Sequence, residues 1–460
     1  MSLDDGRHPG DHSPAASPKD GIPSAAGPVR PTALVFLSLL TGQLLNLLAL
    51  SLLAAHLGLA RFGRFGICML DFAVFGNLAN FALPAASITM AVKGRFRPGL
   101  FALVMGARGW TSLLAVTLYM AFEILFRDRE MVWTAAVLLP ALILNPAQLE
   151  WWFAAKQSWR DLLLYRLLGG CVTLGVVLLG VGRIPGLPAG GLPAAAAAYS
   201  AGFAAAALYL MARMGNVNGA RLPRMYPVTA RMRYLWRQSF PIALTVVCDF
   251  LFVALGYYAF TAAGESGPLL GAYACAYRII LAASMFSSSL FTVLLPRFAG
   301  HSDLANALRR VFDRMALALA ALLPAVPFLA RPLLRLFFPK AGWDAASLDY
   351  AAWALSTMGL ATYLHLLRMP PLTKALSEGA VWLYCRRFFL AGAANVVVVA
   401  AGVFSGFARG LPLLTLTADL LFTGWWLSDL YPQGGKARWG RLGALLSGSL
   451  AYLAWVGYWV

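Results

Sequence analysis

The chain has 460 residues, of which 60% are hydrophobic and only 12% charged, with a mean hydropathy of +0.70. A soluble protein of this length would carry about twice that charged fraction. The formal net charge of +18 would point to nucleic acid in a soluble protein. Among repeated apolar stretches of roughly twenty residues it reads instead as Lys and Arg gathered in cytoplasmic loops, and no nucleic-acid partner is expected.

Residues 1–30, "MSLDDGRHPGDHSPAASPKDGIPSAAGPVR", are rich in Pro, Ser, Ala and Asp and lack the apolar core of a signal peptide. They read as a disordered cytoplasmic tail. Six apolar stretches follow, at 33–57, 67–92, 100–122, 131–153, 162–182 and 194–212. A polar stretch from Arg213 to Arg237 comes next, then six more apolar runs at 240–261, 272–295, 311–330, 348–369, 381–403 and 411–430. A last one, 442–460, ends the sequence. Continuous apolar runs without alternation favour helices over a barrel. The expected fold is an all-α polytopic membrane protein of about 13 transmembrane helices, built as two six-helix lobes plus one extra C-terminal helix. The lobes are expected at 31–213 and 239–430, with a cytoplasmic linker at 214–238 between them and the extra helix within 431–460.

Lys and Arg set the orientation. With the N-terminus inside, cytoplasmic loops hold Lys93, Arg95 and Arg97, then Lys156 and Arg160, and later Arg221, Arg224, Arg231, Arg233 and Arg237. Arg297, Arg309, Arg310, Lys374, Lys436, Arg438 and Arg441 follow on the same side. The opposite loops are balanced, as in "RDRE" at 127–130, and only the loop with Arg331, Arg335 and Lys340 breaks the pattern. The bias predicts a cytoplasmic N-terminus. Thirteen spans place Val460 outside; twelve spans plus a peripheral helix is the alternative.

The five cysteines, Cys68, Cys171, Cys248, Cys275 and Cys385, lie in apolar runs without metal-ligand spacing and read as small hydrophobes. There is no Walker motif, no HExxH and no GxSxG. No enzymatic activity, metal or organic cofactor is expected.

The two blocks show related corners. After the first helix comes "AAHLGLARFGRFGI", where Gly63-Arg64-Phe65 closes the turn; after the seventh comes "YYAFTAAGESGPLLGAYACAYRI", with Gly271-Ala272-Tyr273 in the equivalent place. Glycine allows a tight turn and an aromatic anchors the next helix at the interface. "LSLLAAHLGLARFGRFGI" resembles the first-helix exit of bacterial polysaccharide flippases. The stretch from "RQSFPIALTVVCDF" to "FTVLLPRF" is similar to their seventh and eighth helices, and "ARPLLRLFFPKAGWDAASLDYAAWALSTMGLA" to their loop between helices nine and ten. These are the Wzx-type O-antigen and exopolysaccharide flippases of the MOP superfamily, which includes the MATE exporters. The resemblance runs from Pro31 to Leu430. It implies two MATE-like lobes around a central cavity, alternating access, a bacterial inner-membrane location and a polyprenyl-pyrophosphate-linked oligosaccharide as cargo.

Ionisable residues inside spans are the candidates for function, because each costs roughly 2.5–3.5 kcal/mol at a helix centre. Arg278 lies about 10 Å into the eighth helix from its outer end. Its face continues through Ala282, Met285, Ser289 and Thr292, which favours a cavity over snorkelling to headgroups. Arg108 lies about 12 Å into the third helix, with Thr111 and Ser112 nearby, and points either to the cavity or to a neighbouring helix. Arg387 shares a face with Asn395, and His365 is the histidine well inside a span. These four are the expected substrate-binding residues, guanidinium being suited to phosphate oxygens. Asp249, Asp71 and Asp419 are the expected ion-coupling or charge-balancing acids, the ion being H+ or Na+. Arg166, Arg314 and Arg368, near helix ends, read as snorkelling.

The expected function is a flippase for a lipid-linked oligosaccharide or exopolysaccharide precursor, in contact with membrane lipids and with polymerase or export proteins. A MATE-like cation or drug antiporter and a non-transporting scaffold of a glycan assembly complex are the alternatives.

Overall fold

The computed structural model describes residues 29–84, 87, 98–156, 158–180, 191–218, 229–264, 267–298, 310, 313–314, 316–318, 320–367, 381–406, 410–430, 444 and 447–456. Among them there is helix and turn but no strand. In chain order the helices are α1 (Val29–Asn80), α2 (Pro98–Phe126), α3 (Arg129–Ile143), α4 (Glu150–Ala155), α5 (Trp159–Gly180), α6 (Leu192–Asn218), α7 (Ala230–Ala262), α8 (Pro268–Phe298), α9 (Val326–Phe337), α10 (Ala345–Leu367), α11 (Val381–Phe404) and α12 (Leu411–Leu430). Seven described segments are long and apolar enough to cross a membrane, from Leu37–Asn80 to Trp382–Phe404. The expected tail lies almost wholly outside the described residues, whereas α6 runs to Asn218 and α7 begins at Ala230, inside the expected linker.

Two boundaries differ from expectation for backbone reasons. The first two expected helices form one kinked element, with the break at Gly58 (φ 69°, ψ 163°). That region is open essentially to glycine alone, so the chain turns there and not at Gly63, which is already helical. The expected fourth helix is interrupted: α3 ends at Ile143, a short 3-10 turn covers Asn145–Ala147, and α4 restarts at Glu150. Pro146 removes a donor and disfavours helix at the residue before it. Residues 447–456 are helical and rest on the second half of the chain. The Tyr452 hydroxyl donates to the Ser356 carbonyl oxygen at 2.9 Å, and Trp455 meets Phe328 edge-on at 5.6 Å.

Lipid tails are as apolar as leucine, so close packing is what joins such helices. On α5 and α6 this is explicit: a Cβ on Gly202 would stand 1.9 Å from Thr173 Oγ1 and 2.6 Å from the Gly169 carbonyl oxygen. Large apolar residues such as Leu114, Leu178, Leu179 and Val397 stay exposed, as a lipid-facing surface requires. The most extensive helix–helix contact joins α1 to α8, one from each half of the sequence. Leu53, Phe62 and Phe65 of α1 share one buried cluster there with Tyr257 and Phe260 of α7, Leu270 and Tyr273 of α8, and Phe338. A second cluster lies within the first half, around Leu83, Phe101, Val104, Trp151 and Leu210, and takes in Met232 and Leu235 from the start of α7.

Candidate functional site: the seam between α1 and α8

Gly63 and Gly271, matched in the sequence as equivalent corners, lie against each other. A Cβ on Gly63 would be 2.7 Å from the Gly271 nitrogen, and a Cβ on Gly271 would be 1.9 Å from the Leu59 carbonyl oxygen. Three residues along α1, a Cβ on Gly66 would meet Tyr257 Cε1 at 3.1 Å and the Ala274 Cβ at 3.3 Å. The role of glycine here is backbone contact between the two halves, which no side chain at these positions would allow.

Arg278 lies two turns past Gly271 on α8, about 10 Å from it. It is 9% exposed, and its Nε has no hydrogen-bond partner. Tyr199 of α6, Tyr257 of α7 and Cys275 are within its electrostatic reach. The Tyr199 hydroxyl donates to Asn46 Oδ1 at 2.6 Å, while the Tyr257 hydroxyl, beneath Tyr273 and Tyr277, has no partner. Among the described residues no carboxylate pairs with Arg278. Ala282 continues its face; the side chains of Met285, Ser289 and Thr292 lie outside the described residues.

Arg108 is placed differently. It is 1% exposed, and its guanidinium donates to the Gln148 carbonyl at 2.8 Å, the Asn145 carbonyl at 2.7 Å and Asn80 Oδ1 at 2.7 Å. Asn145 Nδ2 in turn donates to the Gly76 carbonyl at 2.9 Å. Of its two expected directions, helix-to-helix bonding is the one adopted: Arg108 satisfies carbonyls freed where the α3–α4 segment breaks.

Asp71 is fully buried in an ion pair with Arg127. Nε donates to Oδ2 at 3.0 Å, and Nη2 donates to Oδ2 at 2.9 Å and to Oδ1 at 3.2 Å. The Tyr258 hydroxyl of α7 also donates to Asp71 Oδ1, a bond that crosses between the halves. The Arg127 guanidinium lies 5.3 Å from the Phe122 ring centre and 5.5 Å from that of Tyr258. Arg64 pairs with Asp128 and, at 3.1 Å, with Glu130. A cavity of about 220 Å³ is lined by Arg64, Arg127, Asp128, Thr261 and Leu270, among others. Glu123, on the last turn of α2, is fully buried beside Asp71, and no N–H or O–H donor reaches either of its oxygens.

The remaining candidates are scattered. Arg387 is half-buried on α11, eight residues before the fully buried Asn395. His365 is half-buried in the last turn of α10 and Asp419 half-buried on α12. Asp249 falls within α7, but its side chain lies outside the described residues, as does Arg368. Arg166 does not simply snorkel: it donates to Ser38 Oγ at 3.1 Å and lies 3.6 Å from Glu150. Glu123 and Arg127 are not among the candidates that the sequence offers. Ending the third helix at 122 put both in a balanced loop, although their spacing of four residues is that of one helix face.

No protein-family model and no curated relative matches the sequence. Solved structures do match its fold. The inward closed conformation of the lipid II flippase MurJ superposes with a TM-score of 0.66 at 12% identity, over 93% of this chain and 92% of that one. The inward-facing form of a multidrug resistance MATE transporter of the MOP superfamily gives 0.61 at 15% identity, over 85% of this chain and 96% of that one. The outward-facing form of such a transporter gives 0.60 at 12% identity, over 88% and 96%. The chain thus shares the helical fold that MATE transporters and a lipid flippase have in common.

Proposed function

We propose that this protein is an inner-membrane transporter that moves a polyprenyl-pyrophosphate-linked oligosaccharide, or exopolysaccharide precursor, by alternating access between its two halves. In that reading the N-terminus is cytoplasmic and the Gly63–Gly271 seam is the closed outer gate.

Arg278 carries the proposal. A membrane-depth arginine is tolerated where it meets a counter-charge or a wet cavity, and among the described residues Arg278 has no carboxylate partner. A pyrophosphate head brings two to three negative charges, and a guanidinium binds phosphate oxygens through paired N–H donors. A cationic drug would instead be expected to use an acid open to the path, and the expected acid Asp71 is held by Arg127 and Tyr258. This favours an anionic cargo over the antiporter reading. Arg387 and His365 are assigned to the same path on their sequence position alone.

Transport of lipid-linked oligosaccharide into proteoliposomes tests the proposal. Arg278→Ala is expected to abolish it and Arg278→Lys to retain part of it. Wild-type rates in a folded Arg278→Ala protein would refute the role, and wild-type glycan export with the seam cross-linked shut would favour a scaffold.

A further inference from the structure

We propose that Asp71 and Glu123 form a one-proton site at the seam, occupied while the seam is closed and vacated when it opens. The inference rests on alternating access but not on the cargo.

Two carboxyls lie against each other, both fully buried, and they are served by one guanidinium, Arg127. Asp71 accepts from Arg127 and Tyr258 through both oxygens. Glu123 stands within hydrogen-bond range of Asp71, yet no other donor reaches it. Two carboxylates are acceptors only, so their contact becomes a hydrogen bond when one of them holds a proton. The same proton balances the charge: two carboxyls and one guanidinium are neutral with it and carry a buried net negative charge without it.

Among the described residues the surrounding groups do not offer another balance. Arg64, on α1, pairs with Asp128 and Glu130. Cys68, one turn before Asp71, and Tyr119, one turn before Glu123, are buried, and the Tyr119 hydroxyl has no partner. Among the described side chains of α7, Tyr258 reaches the pair, as a donor to Asp71. Tyr258 belongs to the other half of the chain, so the pair sits where the halves meet; opening the seam admits water to it, and hydration of two crowded carboxylates, which outweighs loss of the Tyr258 donor, lets the pair ionise fully. Proton occupancy and seam closure therefore favour each other, and by reciprocity lower pH favours the closed seam.

Spin labels at Arg129 and Ala263, both exposed and on opposite sides of the seam, in a chain with its native cysteines replaced, report closure as a distance. In cargo-free liposomes the closed-to-open ratio is expected to fall with rising pH, by at most about tenfold per unit for one proton. Glu123→Gln, a neutral isostere of the occupied site, is expected to hold the closed distance at every pH, and Tyr258→Phe, which removes a donor to ionised Asp71, to move the response to higher pH. Infrared difference spectra of the wild-type chain should show a protonated-carboxyl carbonyl band that disappears across the same pH range. This second reading stands even if a variant fails to fold. A Glu123→Gln protein that titrates like wild type would overturn the proposal, as would the absence of the carbonyl band. Closure that follows Na+ at fixed pH instead of protons would also overturn it. Because no cargo is present, failure here leaves the oligosaccharide reading standing, and loss of that reading leaves this one.

Discussion

Gly271→Ala should open the seam. The added Cβ would stand 1.9 Å from the Leu59 carbonyl oxygen, which is backbone and cannot rotate away. Restoring an ordinary C···O contact of about 3.3 Å requires α1 and α8 to part by roughly 1.4 Å. Overpacking of a tight contact costs typically 1–3 kcal/mol. That strain exists only while the seam is closed, so it becomes a shift of the closed-to-open ratio of about 5- to 150-fold. Two native thiols report it: Cys68 and Cys275 are fully buried on the two faces of the seam. Maleimide labelling mapped by mass spectrometry should find both protected in the wild type and reactive in Gly271→Ala. Gly175→Ala is the control, since a Cβ there meets nothing within 4 Å. A well-folded Gly271→Ala protein in which both thiols stay protected would refute the idea that this contact holds the seam.

Two further outcomes follow from side-chain bonding. Arg108→Met removes the guanidinium donors to the Gln148 and Asn145 carbonyls in a buried site, the Asn145 carbonyl keeping the Gln148 N–H at 3.0 Å. At about 1.5–3 kcal/mol per charged hydrogen bond, the protein should lose at least about 3 kcal/mol; thermal unfolding in detergent reads this, and an unchanged midpoint would show the arginine to be dispensable to the fold. Asp344 caps α10 by accepting from the Ser347 N–H at 2.6 Å. Hydrogen bonding with Ser347, through its side chain first and then its backbone, holds the exposed Asp344 carboxyl below its ordinary value of 3.8. The cap is therefore complete above that value and lost as pH falls through the lower folded value. Amide exchange in the first turn of α10 should accelerate over that range, and Asp344→Asn, which caps without titrating, should remove the acceleration.

The long apolar runs identify the helices because composition alone decides whether a segment can sit in lipid. Boundaries that depend on one backbone conformation were less legible. Gly58 and Gly63 look alike in "HLGLARFGRF", and only the dihedral angles show that the first turns the chain while the second packs it. Of the charged candidates, Arg278 was legible as a buried cation from its depth and face. The partners of Asp71 were not, because Arg127 and Tyr258 lie 56 and 187 residues away and nothing local predicts such pairings. Glu123 was hidden by one misplaced helix end, at Phe122 where the helix continues to Phe126. Arg108 is legible in the sequence as an arginine inside a span, but its partners depend on the break at Asn145–Ala147, which apolar flanks conceal.

The meeting of Gly63 with Gly271 links these observations. The two glycines occupy corresponding corners of the two blocks of the sequence, and in the structure these corners touch. Each block then has to be smooth at the same place, so one requirement accounts for both glycines. In the alternating-access reading proposed above, this seam is where the halves separate, so groups that sense separation belong close to it. Arg278 lies two turns below Gly271, and Asp71 lies two turns beyond Gly63 and bonds to Tyr258 of the other half. The unneutralised cation and the crowded carboxyl pair thus flank one closure. A change at the seam would reach both without a relay through the rest of the bundle, as the proposed proton-linked closure requires.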